Sequence, residues 1–218
     1  SSPRQDFGGK EVLPGDIKYK DVNGDGVVNN DDIVPIGYRT VPGVQYGMGL
    51  STSWKNFEFN ILFQGSGKCD FFIGGNGPHA FRNGQTGNIL QTMVDDNRWI
   101  PSEISGDVST ENPNANWPRL TWGNNDNNNQ KSTFWLRDGR YIRLKNIELR
   151  YNIPTTFTRK FFVSNMQIGF IGENLHTWSP FKLWDPENAT TDEKNSGVRS
   201  GNAYPINRTY SCYIKLSF

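Results

Sequence analysis

The chain is poor in the features that usually announce a function. Cysteine occurs only at Cys69 and Cys212, so no disulfide framework is available and both thiols read as small packing residues. No apolar run approaches the ~18 residues of a membrane helix, and hydrophobic residues make up only 34%. There is no excess of either charge: 23 Lys+Arg stand against 22 Asp+Glu, which removes the electrostatic case for nucleic acid. Only His79 and His176 are present, without a cysteine or acidic spacing that suggests zinc. No Gly-x-Ser-x-Gly elbow or phosphate loop occurs. Glu173, Asp185 and Glu187 are the nearest thing to a glycosidase pair, and the chain is expected not to be an enzyme. With no initiator Met and no leader, the start Ser1-Ser-Pro-Arg-Gln-Asp-Phe reads as a cut through a longer protein.

Aromatics are abundant by contrast, at 13% of residues, and 23 Gly and 12 Pro break up any long helix. In Asn207–Phe218, Tyr210, Cys212, Ile214, Leu216 and Phe218 share one parity, against Thr209, Ser211, Tyr213, Lys215 and Ser217. Period-two alternation predicts a strand with one apolar and one polar face. Its length suits the roughly 9–11 residues of a tilted membrane-spanning strand. The mean hydropathy of −0.67 is compatible with that, because lumen-facing positions and outer loops of membrane barrels are polar.

Strands are predicted at about 44–53, 57–66, 133–137, 140–153, 164–175 and 207–218. The first two form a hairpin around a tight turn at Trp54-Lys-Asn56. Within 140–153 the apolar parity switches between Ile142/Leu144 and Ile147/Leu149/Tyr151, so a bulge is expected near Lys145-Asn146. The outward apolar residues would be Met48/Leu50, Phe57/Phe59/Ile61/Phe63, Met166/Ile168/Phe170 and Cys212/Ile214/Leu216. Long polar loops fill 67–132 and 176–206, with a short helix expected within Gln85–Arg98. The tract Gly123–Gln130, almost all Asn and Asp, is not expected to order itself independently. Short turns at 54–56 and 154–163 alternate with these long loops, the asymmetry of bacterial transmembrane barrels. Trp54 and Tyr151 fit an interfacial girdle. Trp99, Trp117, Trp122 and Trp135 either pack the loop or stack on sugar rings, with packing favoured. Five or six strands cannot close a membrane barrel, so upstream strands are expected to complete it.

Residues 1–43 form a loop holding Asp21-Val-Asn-Gly-Asp-Gly-Val-Val-Asn-Asn-Asp-Asp32. The spacing matches a twelve-residue calcium loop, with ligands at Asp21, Asn23, Asp25, the Val27 carbonyl, Asn29 and Asp32, and Gly26 at the sharp turn. Its role would be structural, holding Ca2+ or Mg2+, and it resembles the loops of dockerins. The competing reading is a solvated Asp/Asn/Gly turn.

The segments Pro14-Gly-Asp-Ile-Lys-Tyr-Lys-Asp-Val-Asn-Gly-Asp-Gly26, Trp54-Lys-Asn-Phe-Glu-Phe59, Arg137-Asp-Gly-Arg-Tyr-Ile-Arg-Leu-Lys-Asn-Ile147, Gly172-Glu-Asn-Leu-His-Thr-Trp178, Asp185-Pro-Glu187 and Tyr204-Pro-Ile-Asn-Arg-Thr-Tyr210 together carry a resemblance. Over about Gly15 to Phe218 the chain resembles the C-terminal barrel region of SusC-type TonB-dependent outer-membrane transporters. Arg140, where the family has a serine-like residue, and Asp32 are mild departures. The resemblance implies an all-β fold: the C-terminal strands of an antiparallel transmembrane barrel of about 22 strands, with long extracellular loops. It implies active import of glycans or peptides, a SusD-like lipoprotein lid, and TonB engaged through a missing N-terminal region. Outer-membrane lipids surround it, and a dimer of such transporter–lipoprotein pairs is compatible with the family. The alternative is a soluble extracellular β-rich carbohydrate-binding module with a dockerin-like calcium loop.

Overall fold

The computed structural model describes residues 3–84, 87–95 and 97–218. In chain order the strands are β1 (Arg4–Gln5), β2 (Val27–Val28), β3 (Val44–Trp54), β4 (Phe57–Gly67), β5 (Asp70–Ile73), β6 (Leu136–Asp138), β7 (Tyr141–Ile153), β8 (Asn165–Trp178), β9 (Val198–Arg199) and β10 (Thr209–Ser217). The helices are single turns or little more: α1 (Gln91–Asp95), α2 (Ser102–Ser105), α3 (Thr155–Thr158) and α4 (Thr191–Ser196). Among the described residues no helix is long and apolar enough to cross a membrane. The chain divides into two units, residues 1–37, 71–137 and 189–202 on one hand and 38–70, 138–188 and 203–218 on the other.

The second unit is a five-stranded antiparallel sheet in the order β10-β8-β7-β4-β3. Short connections join β3 to β4 and β7 to β8, whereas insertions belonging partly to the first unit separate β4 from β7 and β8 from β10. The β3–β4 pairing runs in register from Val44↔Gly67 to Trp54↔Phe57, leaving only Lys55 and Asn56 in the turn. Lys55 sits at φ 54°, the left-handed conformation that two-residue hairpins demand. In β7 the register slips at Lys145, which faces no single partner on either side: Leu62 and Phe63 of β4 pair with Asn146 and Leu144. Across the other edge, Asn146 and Leu144 pair with Glu173 and His176, so Lys145 opposes Asn174 and Leu175. Asn174 takes up the extra residue at φ 52°, a bulge conformation that Asn tolerates better than most side chains.

The first unit has its own small core, in which Val28, Phe71, Ile73, Met93, Trp117 and Trp135 are buried. A parallel ladder joins β1 to β2, and β6-β5-β9 make a three-stranded sheet. Several expected boundaries change here. The strand expected at 133–137 is a turn through Trp135, whose N–H returns to the Ser132 carbonyl at 3.1 Å. Only Leu136–Asp138 is extended, in the three-stranded sheet, because the buried Trp135 indole N–H is committed to the Asn128 carbonyl at 2.6 Å. The expected loops at 67–132 and 176–206 contain β5, α1, α2, α4 and β9, and β8 continues to Trp178 through its bulge. Of the helix expected within 85–98, only Gln91–Asp95 is helical, and positions 85, 86 and 96 lie outside the described residues.

Candidate membrane-facing surface and cation loop

Directly paired residues of an antiparallel sheet project to the same side, so the register sorts every side chain of the large sheet. Met48↔Phe63, Leu50↔Ile61 and Trp54↔Phe57 lie on one face. Ile61↔Ile147, Phe59↔Leu149 and Phe57↔Tyr151 carry it onto β7. Leu149↔Phe170, Tyr151↔Ile168 and Ile153↔Met166 take it to β8, and Phe170↔Cys212, Ile168↔Ile214 and Met166↔Leu216 finish it on β10. The bulge at Lys145 keeps Ile142 and Leu144 on this side too. The face is apolar from edge to edge, and nothing in the second unit covers it: Met48 is 69% exposed and Ile214 63%.

Along the strands the face is banded. Aliphatic residues and the phenylalanines Phe59 and Phe170 hold the middle. At the hairpin end Trp54, Phe57 and Tyr151 gather, with Phe57 and Tyr151 ring centroids 4.5 Å apart. At the opposite end stand Tyr46, Trp178 and Tyr210, with Phe63–Trp178 at 6.4 Å and Phe170–Tyr210 at 6.3 Å. The 11 residues of β3 span about 36 Å at a rise of ~3.3 Å. A tilt of about 40° projects that to roughly 28 Å, close to the ~25 Å apolar band of membrane barrels. Tyr46 lies flat over Gly65, its hydroxyl donating to the Tyr141 carbonyl at 2.9 Å, and any side chain at Gly65 would collide with that ring.

The other face is polar. Arg150 bridges Glu148 at 2.6 Å and Glu58 at 3.2 Å. Asn60 donates to Glu148 and Asn152 to Glu58, and Gln167 donates to Asn152 at 2.8 Å. Tyr213 covers Gly169, where no side chain would fit. Leu62 and Ile171 are apolar exceptions on this side. Near the far end Arg143 is only 1% exposed. Its Nη2 donates to both Asp185 oxygens, at 2.6 and 2.8 Å, with Glu187 at 3.4 Å. Asp185 and Glu187, two of the three candidate glycosidase carboxylates, thus clasp the 179–188 segment to the sheet, while Glu173 lies elsewhere on β8.

In the cation loop each proposed side-chain ligand organises the backbone. Asp21 accepts N–H from Gly24 at 2.6 Å and Gly26 at 2.9 Å. Asn23 accepts from Asp25, Asp25 from Val27 and Asn29 from Asp31. Asp32 takes Val22 on one oxygen at 2.7 Å and Asn29 on the other at 2.9 Å. These donors, Asn29 first and then Val22, hold the Asp32 carboxyl below the usual carboxylate range. The β1–β2 ladder consumes the carbonyls of Gly26 and Val28. Strand alternation therefore turns the Val27 carbonyl to the other edge, where a seventh-position ligand belongs. All the donors are oxygens, which suits a hard cation. Among the described residues no three of His, Cys, Asp and Glu come together as a metal group, so the set depends on amide and carbonyl oxygens as well as carboxylates.

No family model matches the chain. It is 30% identical over 208 residues to TonB-dependent receptor P26 of Formosa agariphila, covering 94% of this chain and 20% of that protein. To TonB-dependent receptor P3 of the same organism it is 28% identical over 214 residues, covering 94% of this chain and 19% of that one. Over nearly its whole length the chain is similar to TonB-dependent receptors. It spans about a fifth of the length of these relatives. Among solved structures, the RagAB peptide importer in its 'closed-closed' state superposes with a TM-score of 0.61 at 22% identity, over 84% of this chain and 18% of that one. Its 'open-open' state gives 0.60 at 22% identity over 83% and 18%. The fold is that of a TonB-dependent transporter barrel, left open here between the edge strands β3 and β10.

Besides the Arg143 clasp, two groups escaped the sequence reading. One is the polar-face cluster around Arg150, whose residues were visible only as the wet parity of each strand. The other lies in the first unit, where the tract 123–130 is ordered and buries three of its asparagines, Asn125, Asn127 and Asn128. Asn128 donates to Asp16 at 2.7 Å and accepts from the Ile17 N–H at 2.9 Å. Asn127 donates to the Ile17 carbonyl, and Arg119 pairs with Asp16 at 2.8 Å. The tract orders through hydrogen bonds to the 16–19 segment, where apolar area was too small to do so. Tyr19 donates to the Asn127 carbonyl at 2.7 Å, and burial pushes its phenol up to about 12. Trp99 packs on Gly15 and the buried Trp135 on His79, whereas Trp122, which touches Phe81, is 60% exposed.

Proposed function

We propose that this chain is wall and outer-loop material of an outer-membrane active importer. The reading rests on one observation: a single uncovered apolar face running unbroken across five strands, banded by aromatics at both ends, with a hydrogen-bonded polar face behind it. A soluble carbohydrate-binding module would have to hide that face in a core. On this reading the strands are the C-terminal part of a barrel of about 22 strands, with the two longest insertions extracellular. Glycans or peptides are the cargo. The RagAB importer's peptide cargo supports the peptide option, and the banded sheet suits either. A SusD-like lipoprotein would cap the pore, TonB would act through a region outside this chain, and transporter–lipoprotein pairs would associate as dimers.

Nitroxide labels placed singly at positions 61 and 211 of the full-length receptor test the wall. Position 61 should be quenched by oxygen dissolved in the bilayer and position 211 by an aqueous nickel chelate. Equal quenching of both would refute it. Import itself should appear as uptake of a labelled oligosaccharide or peptide that stops when TonB is removed. The loop at Asp21, Asn23, Asp25, Val27, Asn29 and Asp32 is proposed to hold a structural Ca2+, or Mg2+, fastening β2 to β1. Calcium should raise the thermal midpoint of the loop unit, as any ligand of the native state must, and Asp25→Ala should abolish the rise.

A further inference from the structure

The end of the large sheet that carries the β3–β4 turn has an unusual surface. Here α3 and a following 3-10 turn, Arg159–Phe161, connect β7 to β8. Thr158 and Val163 are buried beneath this connection, which fixes its orientation and leaves Phe157, Phe161 and Phe162 outside. The Phe157 and Phe161 rings lie 5.6 Å apart. Phe162 is 92% exposed and is held at φ 60°, a conformation that a bulky side chain adopts only under constraint. Water offers no return for displaying a ring in that way. The same connection carries Arg159 and Lys160, both exposed, and no acidic residue between 154 and 164.

Neighbouring turns add to this rim. Lys55 lies over the exposed Trp54 ring, 4.5 Å from its centroid, and the Asn152 N–H donates to the Asn56 carbonyl at 2.8 Å. Ser164 donates to the Ser217 carbonyl from its N–H at 2.7 Å and from its hydroxyl at 2.9 Å. Phe218, 87% exposed, follows at once. Glu58, beside the β3–β4 turn, faces the polar side and is held by Arg150 and Asn152. Among the side chains of the turns at 54–57 and 154–164, the charged ones, Lys55, Arg159 and Lys160, are all basic.

We propose that this end of the sheet seats anionic phospholipid headgroups, with the Phe rings in the interfacial layer and Lys55, Arg159 and Lys160 against the phosphates. The inference rests on the membrane-wall reading above and adds a preference for charge. Side chains with apolar bodies and polar or charged tips favour that boundary. Each basic residue beside an anionic surface strengthens association about fivefold.

The test uses the full-length receptor in detergent, offered phosphatidylglycerol or phosphatidylcholine, with retained lipid counted by native mass spectrometry. Wild type should hold phosphatidylglycerol at least about tenfold over phosphatidylcholine. Arg159→Gln with Lys160→Gln should bring the ratio to within about twofold, while the folded band on an unheated gel is unchanged. Lys55→Gln, on a separate turn, should lower the ratio several-fold and serves where the double variant folds poorly. Equal retention of the two lipids by wild type, or variants that keep the wild-type ratio, would overturn the proposal. A receptor that enters bilayers without preference sinks this inference alone, whereas one that does not enter them sinks the wall reading itself.

Discussion

The two units solve the problem of backbone order in opposite ways. The large sheet satisfies its amides strand to strand and leaves its apolar side chains uncovered. The loop unit does the reverse, burying asparagines and an aspartate at its centre. Apolar burial contributes little to the first in water and only part of the second. The contrast shows that solvent decides which chemistry stabilises a segment. In hydrocarbon every amide must be paired internally, and oily side chains may face out. In water, a polar tract can be ordered if each buried donor and acceptor finds a partner.

The comparison can be broken most directly by a charge on each face of the sheet. Ile61→Arg should destabilise the folded receptor by about 2–4 kcal/mol, the range for a cation at the bilayer midplane. Ser211→Arg, on the polar face, should change stability far less. Equilibrium unfolding in lipid vesicles measures both, and equal losses would mean the faces are wrongly assigned.

In the loop unit, His79 is buried beside Trp135, with ring centroids 5.0 Å apart. Neither ring nitrogen finds a hydrogen-bond partner among the described residues. Burial, with Arg82 nearby, pulls its pKa down to about 4. The unfolded chain would then bind the proton first as pH falls. Stability is present above about 6.5 and is lost as pH drops toward 4, by on the order of 3 kcal/mol. Hydrogen exchange at 71–79 should accelerate over that window, and His79→Phe should flatten the profile. A pH-independent unit would show that its centre is wetter than described.

A smaller effect is expected from Asn128→Ala. It removes a donor to Asp16 and an acceptor for the Ile17 N–H, leaving buried groups unpaired for about 1–3 kcal/mol. Chemical denaturation followed by tryptophan fluorescence would record it. No loss would mean that the tract is ordered by something other than these bonds.

The alternation of Met48/Leu50, Phe57–Phe63 and Ile214/Leu216 could be read in the sequence because period two is a local signal. The parity switch at Lys145 was also readable, since an extra residue leaves a phase error in the string of letters. Charges on the polar face were visible but not their pairings: Arg150 meets Glu58 from 92 positions away, and only register brings them together. The buried asparagines failed for a related reason. A run of Asn and Asp looks the same whether its partners are water or the 16–19 segment, and nothing local tells them apart. The clasp of Arg143 on Asp185 was hidden likewise, because an arginine at a polar strand position usually stays wet.

The slip at Lys145 also governs how β7 can change length. One residue already shifts the phase there, so every side chain from Asn146 onward owes its direction to that single insertion. Removing it would turn Ile147 and Leu149 to the polar face and Glu148 and Arg150 to the apolar one. Descendants of this gene can therefore trim or extend the strand only by even steps, unless a compensating residue is gained or lost at the same kink.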